Sequence, residues 1–122
     1  MLIDFIQMNA VTISNLNGGD GEVSAKMSVQ KNGKIMLAKL PAGTSIGMHT
    51  HETSDDINYV IRGVGKAVCD GKEEVLTEGV CHYCPRGSSH SIVNTGDEDL
   101  ILFTSVPEFI EDKGGILHGN IT

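Results

Sequence analysis

The sequence of 122 residues contains no Trp, and aromatic residues make up only 4% of it. Any core must therefore be built mainly from aliphatic side chains. No apolar run approaches the roughly 20 residues that a membrane helix needs. The N-terminal stretch MLIDFIQMNAV lacks a basic start and makes a poor secretion signal, so a cytoplasmic location and no membrane partner are expected. Basic residues are scarce, 9 Lys and Arg against 16 Asp and Glu, for a net charge of −7. That balance argues against a nucleic-acid surface, which needs a basic patch. Cysteine is limited to Cys69, Cys81 and Cys84. Without a secretion signal, this odd set reads as free thiols rather than a disulfide framework, with Cys81 and Cys84 as buried structural cysteines.

Glycine is abundant, at 15 residues, and points to short strands joined by tight turns. The length suits one domain over residues 1–122, with a core over about 25–107 and a tail over 108–122. Strands are expected at Lys26–Gln30 and Lys34–Leu40, around the hairpin signal KNGK, and at Ile57–Ile61. Further strands are expected at Lys66–Cys69 and Glu73–Leu76, around Asp70-Gly71, and at Val80–Cys84 and Ser89–Val93. Leu100–Val106 is nearly continuous in apolar residues and reads as a strand buried on both faces. Glu108–Lys113 reads as one helical turn, and GGILHGNIT as a short strand or a disordered end. The pattern is all-β, a sandwich or barrel.

Residues 49–56 read HTHETSDD. Side chains alternate faces along a strand, so His49 and His51 point the same way. Two imidazoles so placed can bind one metal ion, and a carboxylate is a natural third ligand. Asp55 or Asp56 could supply it. By parity Asp56, Asn58 and Val60 share one face of the next strand, and Tyr59 takes the other. A His-X-His pair alone is a weak signal, since surface pairs arise by chance.

The frame around the pair is more specific. Gly43 precedes His49 by six residues and Gly63 follows Asp56 by seven, while Gly79, Pro85, Gly87, His90 and Asn94 form a second spaced set. Together these resemble the two motifs of the cupin superfamily, with Asp56 where Glu is usual. The resemblance spans Gly43–Asn94. It implies a small jelly-roll β-barrel with short terminal extensions. It also implies one divalent transition metal ion (Fe, Mn, Ni, Zn or Co) held by His49, His51, Asp56 and His90. Asp is shorter than Glu by roughly 1.5 Å. The ion would shift, meet Asp56 through water, or bind more weakly.

The motif glycines and Pro85 read as turns, and Asn94 as a turn former bonded to backbone. Cys81 and Cys84 fall on opposite faces of one strand and do not form a redox motif. His82 reads as a satisfied structural histidine or a pocket group, and Asn58 as a contact to a ligand or to the metal shell. These two are the candidates for catalytic roles, with His82 the candidate base. His118, Arg62 and the cluster Glu73, Glu74 and Glu78 read as solvated. The resemblance implies a metal-binding barrel that acts on or binds a small polar molecule, as an oxygenase or as an isomerase or epimerase. The rival is a non-catalytic binding or sensor module, with or without metal. A homodimer is expected, with Leu2–Ile6 and Leu100–Val106 as contributors.

Overall fold

The structure, a computed structural model, describes residues 1–109. Ten strands run in chain order: β1 (Val11–Ser14), β2 (Glu22–Gln30), β3 (Gly33–Leu40), β4 (Ser45–Thr50), β5 (Asp56–Arg62), β6 (Gly65–Cys69), β7 (Lys72–Leu76), β8 (Cys81–Cys84), β9 (Ser89–Asn94) and β10 (Leu100–Pro107). A short 3-10 turn, Leu16–Gly18, separates β1 from β2. The strands form two antiparallel sheets. The larger has the order β1-β2-β3-β10-β5-β8 and the smaller β4-β9-β6-β7. This is the all-β, jelly-roll-like architecture expected.

The core lies between the sheets and is aliphatic, as the lack of aromatics requires. Val23, Ala38, Leu40, Val60, Leu100 and Leu102 from the larger sheet meet Ala67, Leu76 and Ile92 from the smaller. Burying each leucine contributes roughly 1.5–3 kcal/mol. Turn chemistry sets the register. Asp70 and Gly71 both have positive φ, the two-residue hairpin geometry that matches strand twist, and place Cys69 opposite Lys72. In the first hairpin Gly33 is already paired with Gln30, so the loop is Lys31-Asn32 rather than Asn-Gly.

Eight expected strands are present, most extended by one residue and β2 by four. β1 and β4 carry mixed short patterns that strand reading did not single out. β10 corrects one expectation: its inner row is buried, but Ile101, Phe103 and Ser105 on the other face are only half-buried. The cysteines correct another. All three are free, yet only Cys84 is fully buried, and Cys81 is exposed on the opposite face of β8. Burial pushes the Cys84 thiol up to about 12. Its sulfur lies 4.0 Å from that of Cys69, about twice a disulfide bond length. Glu108 does not start a helical turn; it bridges to Ser54. Phe109 continues past it, its amide bonded to the Thr53 carbonyl, and the remainder of that expected turn and the tail with His118 lie outside the described residues.

Candidate metal centre

β4 and β9 are antiparallel neighbours, and their register sets His49 directly opposite His90. The pairing slips between Ile46 and His49, a bulge that contains Gly47 and Met48. Bulges re-aim side chains, and this one turns the end of β4 toward the barrel interior. His51 follows on the same side, with Thr50 exposed between them. Asp56 opens β5 in the opposite sheet. The inner row of β5 is Asp56, Asn58 and Val60, all buried, while Tyr59 is 45% exposed. Parity had grouped these residues correctly, and the structure places the group inside.

The four side chains converge. The Nε2 atoms of His49 and His51 are 2.9 Å apart, and those of His49 and His90 are 3.1 Å apart. Asp56 Oδ2 lies 2.8 Å from His51 Nε2, 3.0 Å from His90 Nε2 and 3.9 Å from His49 Nε2. Donors about 2.1 Å from a shared ion lie about 3.0 Å apart at right angles and about 3.4 Å apart at tetrahedral angles. The four short spacings and the one wide pair follow the right-angle pattern. The shorter Asp side chain therefore does not fall out of reach. Asp55, the alternative, is engaged elsewhere: it accepts from Tyr83 Oη at 2.5 Å and from the Arg86 amide at 2.8 Å.

Each imidazole is also held from behind, which leaves Nε2 aimed at the centre. His49 Nδ1–H donates to the Gly47 carbonyl at 2.7 Å. His51 Nδ1 meets Ser54 Oγ at 3.2 Å, and His90 Nδ1 meets His82 Nε2 at 2.8 Å. On the carboxylate side, Asn58 Nδ2 donates to Asp56 Oδ1 at 2.9 Å and Thr104 Oγ1 donates to Asn58 Oδ1 at 2.7 Å. Such partners orient metal ligands and fix their tautomers. A His3Asp set with every rear contact made could hold a metal ion.

Charge follows the same geometry. Burial alone would raise the Asp56 carboxyl, but the imidazoles of His49, His90 and His51 gathered around it hold it far below the usual range. Burial would lower His49, yet the Asp56 contact and the Gly47 carbonyl outweigh it and raise the imidazole above 6.5. His51 is lowered, chiefly by burial. The sign for binding follows. A metal ion needs neutral imidazoles, and His49 holds its proton to higher pH than His51. Divalent-ion affinity is therefore expected to fall on acidification from about pH 8 to about pH 6, by up to about tenfold per unit for one competing proton. Chelator competition with Co²⁺ across that range checks this, and a flat profile would contradict it.

The cluster lines one wall of a cavity of about 120 Å³ between the sheets. Drug-sized sites span roughly 300–1,000 Å³, so only a small molecule fits. Apolar side chains make most of the wall, including Met27, Met36 and Ile92. Lys34 is the one cationic side chain on it outside the histidines, among the described residues. His82 is not on the wall. It sits 1% exposed behind His90, so the base role expected of it does not fit its position. Asn58 does line the cavity, through the contact to Asp56 described above. Asn94 is structural, as expected: its Nδ2 donates to the Leu40 and Glu98 carbonyls and its Oδ1 accepts from the Gly96 amide.

Three features escaped the sequence reading. Glu74, expected to be solvated, accepts from His82 Nδ1 at 2.7 Å. Its parity with buried Leu76 on β7 was the available signal. Gly47, inside the first motif, and Lys34, in the KNGK hairpin, carry no such signal.

A two-sheet β-barrel with a converging His3Asp set facing a small cavity defines a class of small barrels with an interior site that could hold a metal ion. The family model described as Cupin domain matches residues 36–106, and the chain belongs to the cupin family. It is 34% identical over 106 residues to the oxalate-binding protein of Thermotoga maritima, covering 82% of this chain and 88% of that one. A crystal structure described as a predicted oxalate decarboxylase from the same organism superposes with a TM-score of 0.84 at 32% identity, covering 88% of this chain and 99% of that one. An RmlC-like cupin from Shewanella frigidimarina shares the fold alone, with a TM-score of 0.74 at 19% identity and coverage of 87% and 88%.

Proposed function

We propose that this cupin binds a small chelating carboxylate, oxalate or a close analogue, through a divalent transition metal held by His49, His51, Asp56 and His90. The observation that carries this is the right-angle spacing of four donors at one wall of a small cavity. Four protein ligands on a six-coordinate ion leave two positions, the number a bidentate carboxylate takes. Such an ion would supply Lewis-acid charge to a bound oxyanion. The chain's own residues do the rest: apolar walls exclude water, and Lys34 offers a second positive charge. The similarity to a protein named for oxalate binding supports the same ligand class.

Binding is preferred to turnover for a specific reason. Apart from the ligand set, Lys34 is the single ionisable side chain on the cavity wall among the described residues. An isomerase or a decarboxylase needs a group that moves a proton; no spare carboxyl is there, and Lys34 serves as the charge partner of the bound anion. Calorimetry with oxalate on metal-loaded and chelator-stripped protein tests the reading, with formate and carbon dioxide assayed in parallel. The expected result is binding to the loaded form alone, without product, and about tenfold weaker binding in Lys34→Gln. Release of formate would replace the binder with an enzyme. Equal binding by stripped protein would sink the metal's role.

The outer face of the larger sheet supports a homodimer. Tyr59, Ile61 and Tyr83 are 45%, 43% and 51% exposed there, beside half-buried Ile57 and Phe103. We propose that a second copy covers this face. Light scattering should give a dimer for the natural sequence and a monomer for Tyr59→Lys; a monomeric natural chain would overturn it. Three free thiols suit a reducing, cytoplasmic compartment.

A further inference from the structure

We propose that Glu74 and His82 are positioning residues for the metal centre, forming one hydrogen-bonded line that fixes the tautomer of His90 and leaves its Nε2 lone pair for the ion. This rests on the metal-site reading above. The line runs across the barrel. His90 is on β9 of the smaller sheet, His82 on β8 at the edge of the larger sheet, and Glu74 on β7 at the edge of the smaller. His90 and His82 are fully buried in their side chains, and Glu74 is 38% exposed in its own. The His82 and His90 rings stack with centroids 5.1 Å apart and planes 24° apart.

Proton counting gives the line a direction. A carboxylate can only accept, so His82 places its proton on Nδ1, toward Glu74 Oε1 at 2.7 Å. Neutral His82 then has a lone pair on Nε2. That lone pair can only accept from His90, so His90 places its proton on Nδ1, across the 2.8 Å contact. The lone pair of His90 is thereby left on Nε2, the atom that faces Asp56 and His49. Without an acceptor at position 74, His82 is free to put its proton on Nε2. It would then donate to His90 Nδ1 and drive the His90 proton onto the metal-facing nitrogen. A partly exposed residue on an edge strand thus controls a ligand two side chains away. The contact also joins the edges of the two sheets, where β7 and β8 approach but do not pair.

The test uses the full chain with Co²⁺ as probe, because the position of Glu74 lets it be changed without opening the core. Glu74→Ala is expected to weaken Co²⁺ binding about 10- to 100-fold, the usual range for an outer partner of a ligating histidine. Glu74→Gln keeps an acceptor oxygen for His82 Nδ1–H and is expected to retain most of the affinity. The visible absorption spectrum of bound Co²⁺, which reads the ligand field and not stability, should change in Glu74→Ala and return in Glu74→Gln. Natural affinity and spectrum in Glu74→Ala would overturn the inference, and so would equal loss in both variants. Failure of the natural chain to bind Co²⁺ at all would instead strike the metal-site reading.

Discussion

His90→Ala protein should carry no metal. The natural chain is expected to hold about one transition-metal ion, and the variant less than about a tenth of that, since affinity falls steeply when one of four protein ligands is lost. The reason is position. His90 is fully buried and spans the gap between His49 and Asp56. The variant also leaves His82 Nε2 without its partner, a buried polar loss of about 1–3 kcal/mol. Elemental mass spectrometry on tag-free protein measures the metal, and circular dichroism on the same samples shows whether the barrel has survived. A folded variant that still holds one ion would remove His90 from the ligand set. A natural chain without metal after reconstitution would leave a metal-free ligand-binding barrel.

The second large effect is expected at a residue with no side chain. Gly47 sits in the bulge of β4, and a Cβ there would collide with the Asn17 carbonyl oxygen. Gly19 approaches Ser45 in the same way from the other side. The segment after β1 therefore lies directly on β4, closer than any side chain permits. Gly47→Ala should cost about 3 kcal/mol by overpacking and lower the melting midpoint by roughly 10 °C. It should also weaken metal binding, because the Gly47 carbonyl holds His49 Nδ1. Gly43→Ala is a useful contrast. Its φ is positive, but nothing lies within 4 Å of an added Cβ, so the cost there is backbone strain of about 1 kcal/mol. Equal melting points for the two variants would show that contact with Asn17 is not what matters.

Much of this site was legible in the sequence because it is local. His49, His51 and Asp56 lie within eight residues, and strand parity assigns their faces. His90 could be added only through the spacing of Gly79, Pro85 and Gly87, a matter of resemblance rather than of physics. What stayed hidden depends on which strands become neighbours. Glu74 looks like one of three solvated acids until β7 is seen to meet β8, and His82 looks like a pocket base until it is seen behind His90. Gly47 looks like any turn glycine until Asn17, thirty residues earlier, is laid against it. Strand order is a long-range property, and single-sequence periodicity carries none of it. The half-buried outer face of β10 is hidden for a related reason: an apolar run cannot tell a strand buried on both faces from one buried on one face and half-buried on the other.

Asp56 belongs to the larger sheet, while His49 and His90 belong to the smaller. An ion held by all of them would act as a removable cross-link between the two halves of the barrel. Folding and metal supply then become one equilibrium. At a free concentration 100 times its dissociation constant, an ion would add about 2.7 kcal/mol to stability. Heat resistance of this protein would thus report on the metal available around it, and starvation for the ion would be felt first as a loosening between β4 and β5.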